Sequence, residues 1–193
     1  MPEIRWEEDF QAAIEKAKAT GRPIFQDFWW TGCVGCAKMN ETTYSDAAVI
    51  DFLNDRFVPV RTLCDLGNPT ELMRRFDVVW TPAFYVHEPE GKDHHRFLGY
   101  VPPDDLLAHL WLGQGKILYD AGRHAEAIAL FETVLARHPD AGPAPEAAFL
   151  RGVSGYKAGG DPKELRKAYD LLTARYPQSE WTRRAQPYGA FAR

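Results

Sequence analysis

Apolar residues recur along this chain with two different periods, and the change from one to the other divides it. From Trp6 to Ala19 the residues Phe10, Ile14 and Ala17 fall at helical spacing until Gly21-Arg22-Pro23 ends the pattern, which predicts a first helix. Pro23 to Trp30 is then a short aromatic-rich apolar run bounded by turn residues, a buried strand with one anomaly, Asp27. A helical segment follows Thr31-Gly32 to about Asn40, and Ser45 to Asn54 continues in helical register with Ala48, Ile50, Phe52 and Leu53 on its apolar side. Phe57 to Cys64 reads as a second strand and Asn68-Pro69 as the opening of a short helix. Val78 to Val86 reads as a third strand with proline near its start, Arg96 to Tyr100 as a fourth after the turn Glu90-Gly91-Lys92, and Pro103 to Leu112 as a helix. The order αβαβαββα predicts an α/β fold with a mixed sheet and helices on both faces.

Beyond Gly113 strand patterning stops and an internal repeat takes over. Tyr119-Asp120-Ala121-Gly122 matches Tyr156-Lys157-Ala158-Gly159, and Ala136-Arg137-His138-Pro139 matches Ala174-Arg175-Tyr176-Pro177, with Phe131 answering Tyr169. A period near 34 residues, small residues at helix contacts and a proline closing each unit resemble tetratricopeptide-type helical hairpins. Two domains are therefore expected, residues 1–112 and an all-α helical-hairpin repeat region over 113–193. Two repeats leave apolar faces in need of a neighbour, so the tail is expected to pack on the first domain or on a protein partner.

Composition narrows the class. The chain has 193 residues, 45% of them hydrophobic and 13% aromatic, which suffices for a real core. Its net charge of −4 gives no reason to expect a nucleic-acid partner. The charge is uneven: residues 1–112 carry 11 Lys/Arg against 18 Asp/Glu, and the remainder 12 against 9. No run approaches the ~18 apolar residues of a membrane span. The first twenty residues show no signal-peptide core, so a cytoplasmic location is expected, or a periplasmic one if a leader has been removed.

The candidate chemistry lies at Cys33-Val34-Gly35-Cys36, where a strand gives way to a helix. Backbone N–H groups at a helix start stabilise a thiolate, so a dithiol placed there reads as redox-active. A structural zinc site would need a second pair of ligands, and the only other cysteine is Cys64. Cys64 alternates with Val58, Val60 and Thr62 and is expected to be a packed thiol. His94-His95, between a turn and a strand, are expected to be solvated loop residues rather than metal ligands.

These residues together give residues 1–112 a resemblance to a thioredoxin-like domain, the kind found in thiol–disulfide oxidoreductases and at the C-terminal end of membrane electron relays. Asp27, six residues before Cys33, resembles the buried acid of thioredoxins. Thr81-Pro82 resembles the family's cis-proline segment, and Arg61 stands where thioredoxins carry a lysine. The resemblance implies a thioredoxin fold, a central mixed sheet flanked by helices, and protein or peptide thiols and disulfides as substrates, with no cofactor and no metal. It assigns Cys33 as nucleophile, Cys36 as resolving thiol and Asp27 as proton acceptor. Thr81 and Pro82 become the substrate clamp, with Trp30 and Trp80 binding substrate beside Phe28 and Trp29 on the surrounding surface. The motif departs from Trp-Cys-Gly-Pro-Cys by lacking both the tryptophan and the proline, which leaves the direction of electron flow open. A non-enzymatic interaction module on the same scaffold is the alternative reading, and a metal-binding dithiol a third.

Overall fold

The computed structural model describes residues 3–192. Its first unit, residues 1–107, is built on a four-stranded sheet of order β2-β1-β3-β4, made of β1 (Ile24–Trp29), β2 (Val58–Leu63), β3 (Ala83–His87) and β4 (Asp93–Leu98). β1 pairs parallel with β2 and antiparallel with β3, and β3 antiparallel with β4, so the sheet is mixed. The helices are α1 (Phe10–Thr20), α2 (Val34–Lys38), α3 (Ala47–Arg56) and α4 (Glu71–Arg75), and a π turn, Met39–Thr43, continues directly from α2. This is the thioredoxin fold.

Alternation along β1 sends its residues to two layers. Ile24 and Phe28 join Val58, Val60 and Tyr85 under Phe10, Ile14, Met73 and Phe76 of the α1 and α4 side. The opposite face of the sheet stacks Phe25 on Phe84 at 5.8 Å and Phe84 on Phe97 at 4.9 Å. Asp9 caps α1 through Ala12 N–H, and Asp46 caps α3 through Ala48 and Val49.

Three boundaries in the first unit differ markedly from the sequence expectation. α1 begins at Phe10 rather than Trp6, because Glu7 bridges to Val60: its N–H donates to Pro59 and its carbonyl accepts from Arg61. β3 begins only at Ala83, since Pro82 has no N–H to give the ladder, and Val79 and Trp80 lie exposed outside it. β4 begins three residues early, at Asp93, which corrects the reading of the two histidines. The Glu88–Lys92 turn is tight, with Gly91 at φ +88°, so Asp93 already pairs with His87. His95 is therefore a buried strand residue, and His94 a half-buried one whose covered side chain meets Glu88 at 2.9 Å.

The second unit, residues 108–193, is helical. α5 (Pro103–Asp120) runs unbroken through Gly113 and Gly115, where the sequence reading ended a helix at Leu112. It is followed by α6 (His124–Arg137), α7 (Ala144–Gly159), α8 (Lys163–Arg175) and α9 (Glu180–Ala185). The repeat has a structural counterpart in the left-handed glycines Gly122 and Gly160, at φ +75° and +73°, which end α5 and α7. Gly152 abuts Ala168 too closely for any Cβ, which brings α7 and α8 together. Trp181 and Ala185 of α9, with Tyr188 beyond it, cover Phe149 and Leu172, supplying within the unit part of the neighbour that two repeats need.

Candidate active site

The turn after β1 delivers the dithiol. Cys33 is the N-cap of α2, and its sulfur accepts from the Cys36 N–H at 3.0 Å. The two cysteines are joined as a disulfide with Cα atoms 5.2 Å apart, Cys33 partly exposed and Cys36 buried. Cys33 is therefore the more accessible of the two cysteines.

Cys33 opens into a cleft of about 370 Å³ whose walls include Trp30, Leu66, Trp80, Thr81, Pro82 and Tyr100. The Thr81–Pro82 peptide is cis. Gly35 explains part of the motif's composition: a Cβ there would stand 3.0 Å from Cδ of Pro82, tighter than ordinary contact. Gly32 lies directly under the Trp30 indole, which a Cβ there would displace. The chain thus lacks a tryptophan immediately before Cys33 and brings one over that position from two residues upstream. Most of the large exposed apolar side chains of this unit, Trp30, Val34, Leu66, Trp80 and Tyr100, line this cleft.

Asp27 sits elsewhere, 1% exposed within β1. Its Oδ2 accepts from Arg61 Nε at 3.1 Å. The Arg61 guanidinium is itself held against aromatic rings, 4.7 Å from Trp29, 5.1 Å from Trp6 and 5.5 Å from Tyr44. Burial raises the Asp27 pKa to about 6, against the lowering pull of Arg61 and of the Tyr44 hydroxyl. Burial also lifts the Cys64 thiol to about 12, and the nearby Asp27 charge adds to the shift; Cys64 is packed in the core.

Of the residues singled out in the sequence, Cys33, Trp30, Trp80, Thr81 and Pro82 share the cleft, while Cys36 and Asp27 lie buried outside its walls. Phe28 corrects the expectation: it is wholly buried among Phe76 and Tyr85 instead of lining the surface. Trp29 likewise stacks on Arg61 instead of walling the cleft. Trp6 and Tyr44, which pack edge to face at 5.1 Å beside Arg61, were not singled out in the sequence. Their approach to Asp27 depends on the Glu7 bridge and the π turn, neither of which leaves a periodicity to read.

Comparison with known proteins agrees with this geometry. A thioredoxin-like domain model matches residues 10–112 and a tetratricopeptide repeat model residues 112–180. The thiol:disulfide interchange protein DsbD of Ralstonia nicotianae is 31% identical over 100 residues, which are 51% of this chain and 16% of that protein. DsbD of Campylobacter jejuni is 26% identical over the same share of this chain and 18% of its own length, so the chain spans less than a fifth of these curated relatives. Among solved structures, a thioredoxin from Thermus thermophilus is 30% identical with a TM-score of 0.50, covering 57% of this chain and 85% of its own. A putative disulphide-isomerase from Bacteroides thetaiotaomicron is 25% identical with a TM-score of 0.51, covering 58% of this chain and 93% of its own. With sheet order, CxxC turn and a match over more than half its length in accord, the chain belongs to the thioredoxin-like domain family.

Proposed function

We propose that this protein exchanges disulfides with protein or peptide substrates through Cys33 and Cys36, and that its helical tail binds a protein partner. The observation that carries the reading is the unequal exposure of the two cysteines, Cys33 partly exposed in the wall of an apolar cleft and Cys36 buried outside it. In the reduced protein the Cys36 N–H that Cys33 Sγ accepts here favours a thiolate on Cys33. That thiolate attacks one sulfur of a target disulfide, forming a Cys33–target bond and releasing the other target sulfur as a thiolate. Cys36 then gives its proton to Asp27 and attacks the Cys33 sulfur. The Cys33–Cys36 bond forms and the second target thiol leaves, so the target gains the two electrons that the protein loses. The reverse sequence uses the same residues and donates a disulfide.

A pKa of about 6 suits Asp27 to this work, since near pH 7 the carboxyl is mostly ionised yet basic enough to take a thiol proton. Trp30 and Trp80 wall the cleft against apolar substrate side chains. Thr81, ahead of β3, offers backbone to an extended peptide in the manner of an added strand. Support for the tail's role is the repeat match over residues 112–180.

Insulin reduction with dithiothreitol tests the reading. Cys33→Ser is expected to fall to the uncatalysed rate, and Cys36→Ser to accumulate a covalent adduct with the insulin chain. Turnover by Cys33→Ser as fast as the unmodified protein would remove Cys33 as the nucleophile.

A further inference from the structure

Three buried polar atoms without a hydrogen-bond partner among the described residues belong to residues that interact with one another: Asp27 Oδ1, Tyr44 Oη and Arg61 Nη2. Buried polar groups are nearly always paired, so three orphans on three interacting residues call for an account. Arg61 cannot change its charge, and its Nε is already committed to Asp27 Oδ2. Tyr44 is the member whose hydroxyl can turn, as donor, towards the free carboxyl oxygen.

The backbone places Tyr44 there by an uncommon route. Its N–H donates to the Met39 carbonyl at 2.8 Å, closing the π turn. One extra residue in a turn rotates the downstream chain by about 100° relative to an α-helix. The turn is pinned from outside, because Thr43 Oγ1 donates to the Val101 carbonyl at 2.7 Å and the Val101 N–H points at Met39 Sδ at 3.5 Å. Trp6 then meets the Tyr44 ring edge to face, and Arg61 lies over it. The ring is held from three directions, which leaves rotation about the C–O bond as the phenol's principal freedom.

We propose that Tyr44 is a positioning residue for the exchange reaction, its hydroxyl donating to Oδ1 of Asp27 as that carboxyl ionises and so fixing the pH at which the proton acceptor becomes available. The proposal rests on the reading of Asp27 as proton acceptor given above. Electrostatics agree in direction: the phenol lowers the pKa of Asp27, and the Asp27 charge adds to the burial that raises the pKa of Tyr44. The other charged or titratable groups around the pair are Arg61 from β2, Cys64 just beyond it and Glu3 across the cleft that Tyr44 lines. From β3 the residue opposite Asp27 is Phe84, which carries no charge.

The test is a carbon-13 NMR titration of the Asp27 carboxyl in the full-length disulfide form, followed by the pH profile of mixed-disulfide resolution. Tyr44→Phe is expected to move the Asp27 midpoint upward by about one pH unit, the size of one hydrogen bond to an ionised group. The resolution profile should move with it. Incorporation of 3-fluorotyrosine at position 44 keeps the ring and its packing while making the hydroxyl a stronger donor, and is expected to move the midpoint the other way. A midpoint unchanged in both variants overturns the proposal, and so does a midpoint that moves while the resolution profile stays fixed. If the midpoint moves as stated but the unmodified protein never reduces insulin, the hold of Tyr44 on Asp27 stands and the exchange function falls.

Discussion

Asp27 responds to pH in the sense opposite to an ordinary salt-bridged carboxylate. Its folded pKa of about 6 lies above the usual 3.8, with burial outweighing Arg61. Between those values the folded chain keeps a proton that the unfolded chain releases, so the fold loses stability as pH rises through the window. Above pH 6 the full penalty applies, about 3 kcal/mol for a shift of some two pH units. An asparagine resembles the protonated acid in shape and charge. Asp27→Asn should therefore resist urea better than the unmodified protein at pH 8 by up to that amount and equally at pH 4. A difference that is the same at both pH values would show that ionisation of Asp27 is not its source. The same substitution removes the proposed proton acceptor, so exchange should slow while stability rises. The anomaly of one carboxylate in an aromatic strand was legible from sequence because apolar neighbours leave no other reason for burying it. Tyr44 was not legible, because its position comes from a π turn that shifts helical phase without changing composition.

Elements are legible in the sequence where periodicity is carried by many side chains, and not where a single backbone group decides. The strands β1 and β2 lie within a residue or two of their expected ends, since each is bounded by prolines, glycines or polar residues. The starts of β3 and β4 are not legible in the sequence because one missing N–H, at Pro82, and one left-handed glycine, at Gly91, set where pairing starts. Gly91 allows a sharp comparison with Gly21. Both have positive φ, +88° and +68°, but a Cβ on Gly91 would come within 2.8 Å of Ile14 Cδ1 in α1, whereas one on Gly21 would meet nothing within 4 Å. Gly21→Ala should cost only the left-handed penalty, about 1 kcal/mol. Gly91→Ala adds overpacking against a buried helix and should cost about 2 to 4 kcal/mol. Urea midpoints of the two variants at pH 7 measure the difference. Equal losses would mean that α1 yields to the added methyl and that the close approach of turn and helix does not constrain the fold.

At the scale of the whole molecule, acid sensitivity depends on which buried groups must take up a proton as the pH falls. His87 is wholly buried among Phe10, Phe76 and Tyr85, and its Nε2 faces Gln26 Oε1 at 2.8 Å. Burial first, then the Arg75 and His94 charges, depresses its pKa from 6.5 to about 3. Below pH 6.5 the unfolded chain binds a proton that the folded chain refuses, so stability is full above that pH and drains away as it falls towards 3. The loss approaches 5 kcal/mol on the order-of-magnitude conversion of that shift. Asp27 opposes this only between pH 6 and about 4, and with the smaller shift. His109, in the second unit, is depressed to about 3 as well, again chiefly by burial and secondarily by Lys116, so both units carry a histidine that favours unfolding in acid. A domain of ordinary stability, about 5 to 15 kcal/mol, loses a large share of it this way. His87→Phe keeps an aromatic ring of similar size and removes the titration, at the expense of the Gln26 hydrogen bond. It should therefore be somewhat less stable than the unmodified protein at pH 7 and lose less between pH 6.5 and 4, so that the two urea midpoints converge or cross on acidification. Parallel midpoint curves across that range would exclude His87 as a source of acid unfolding.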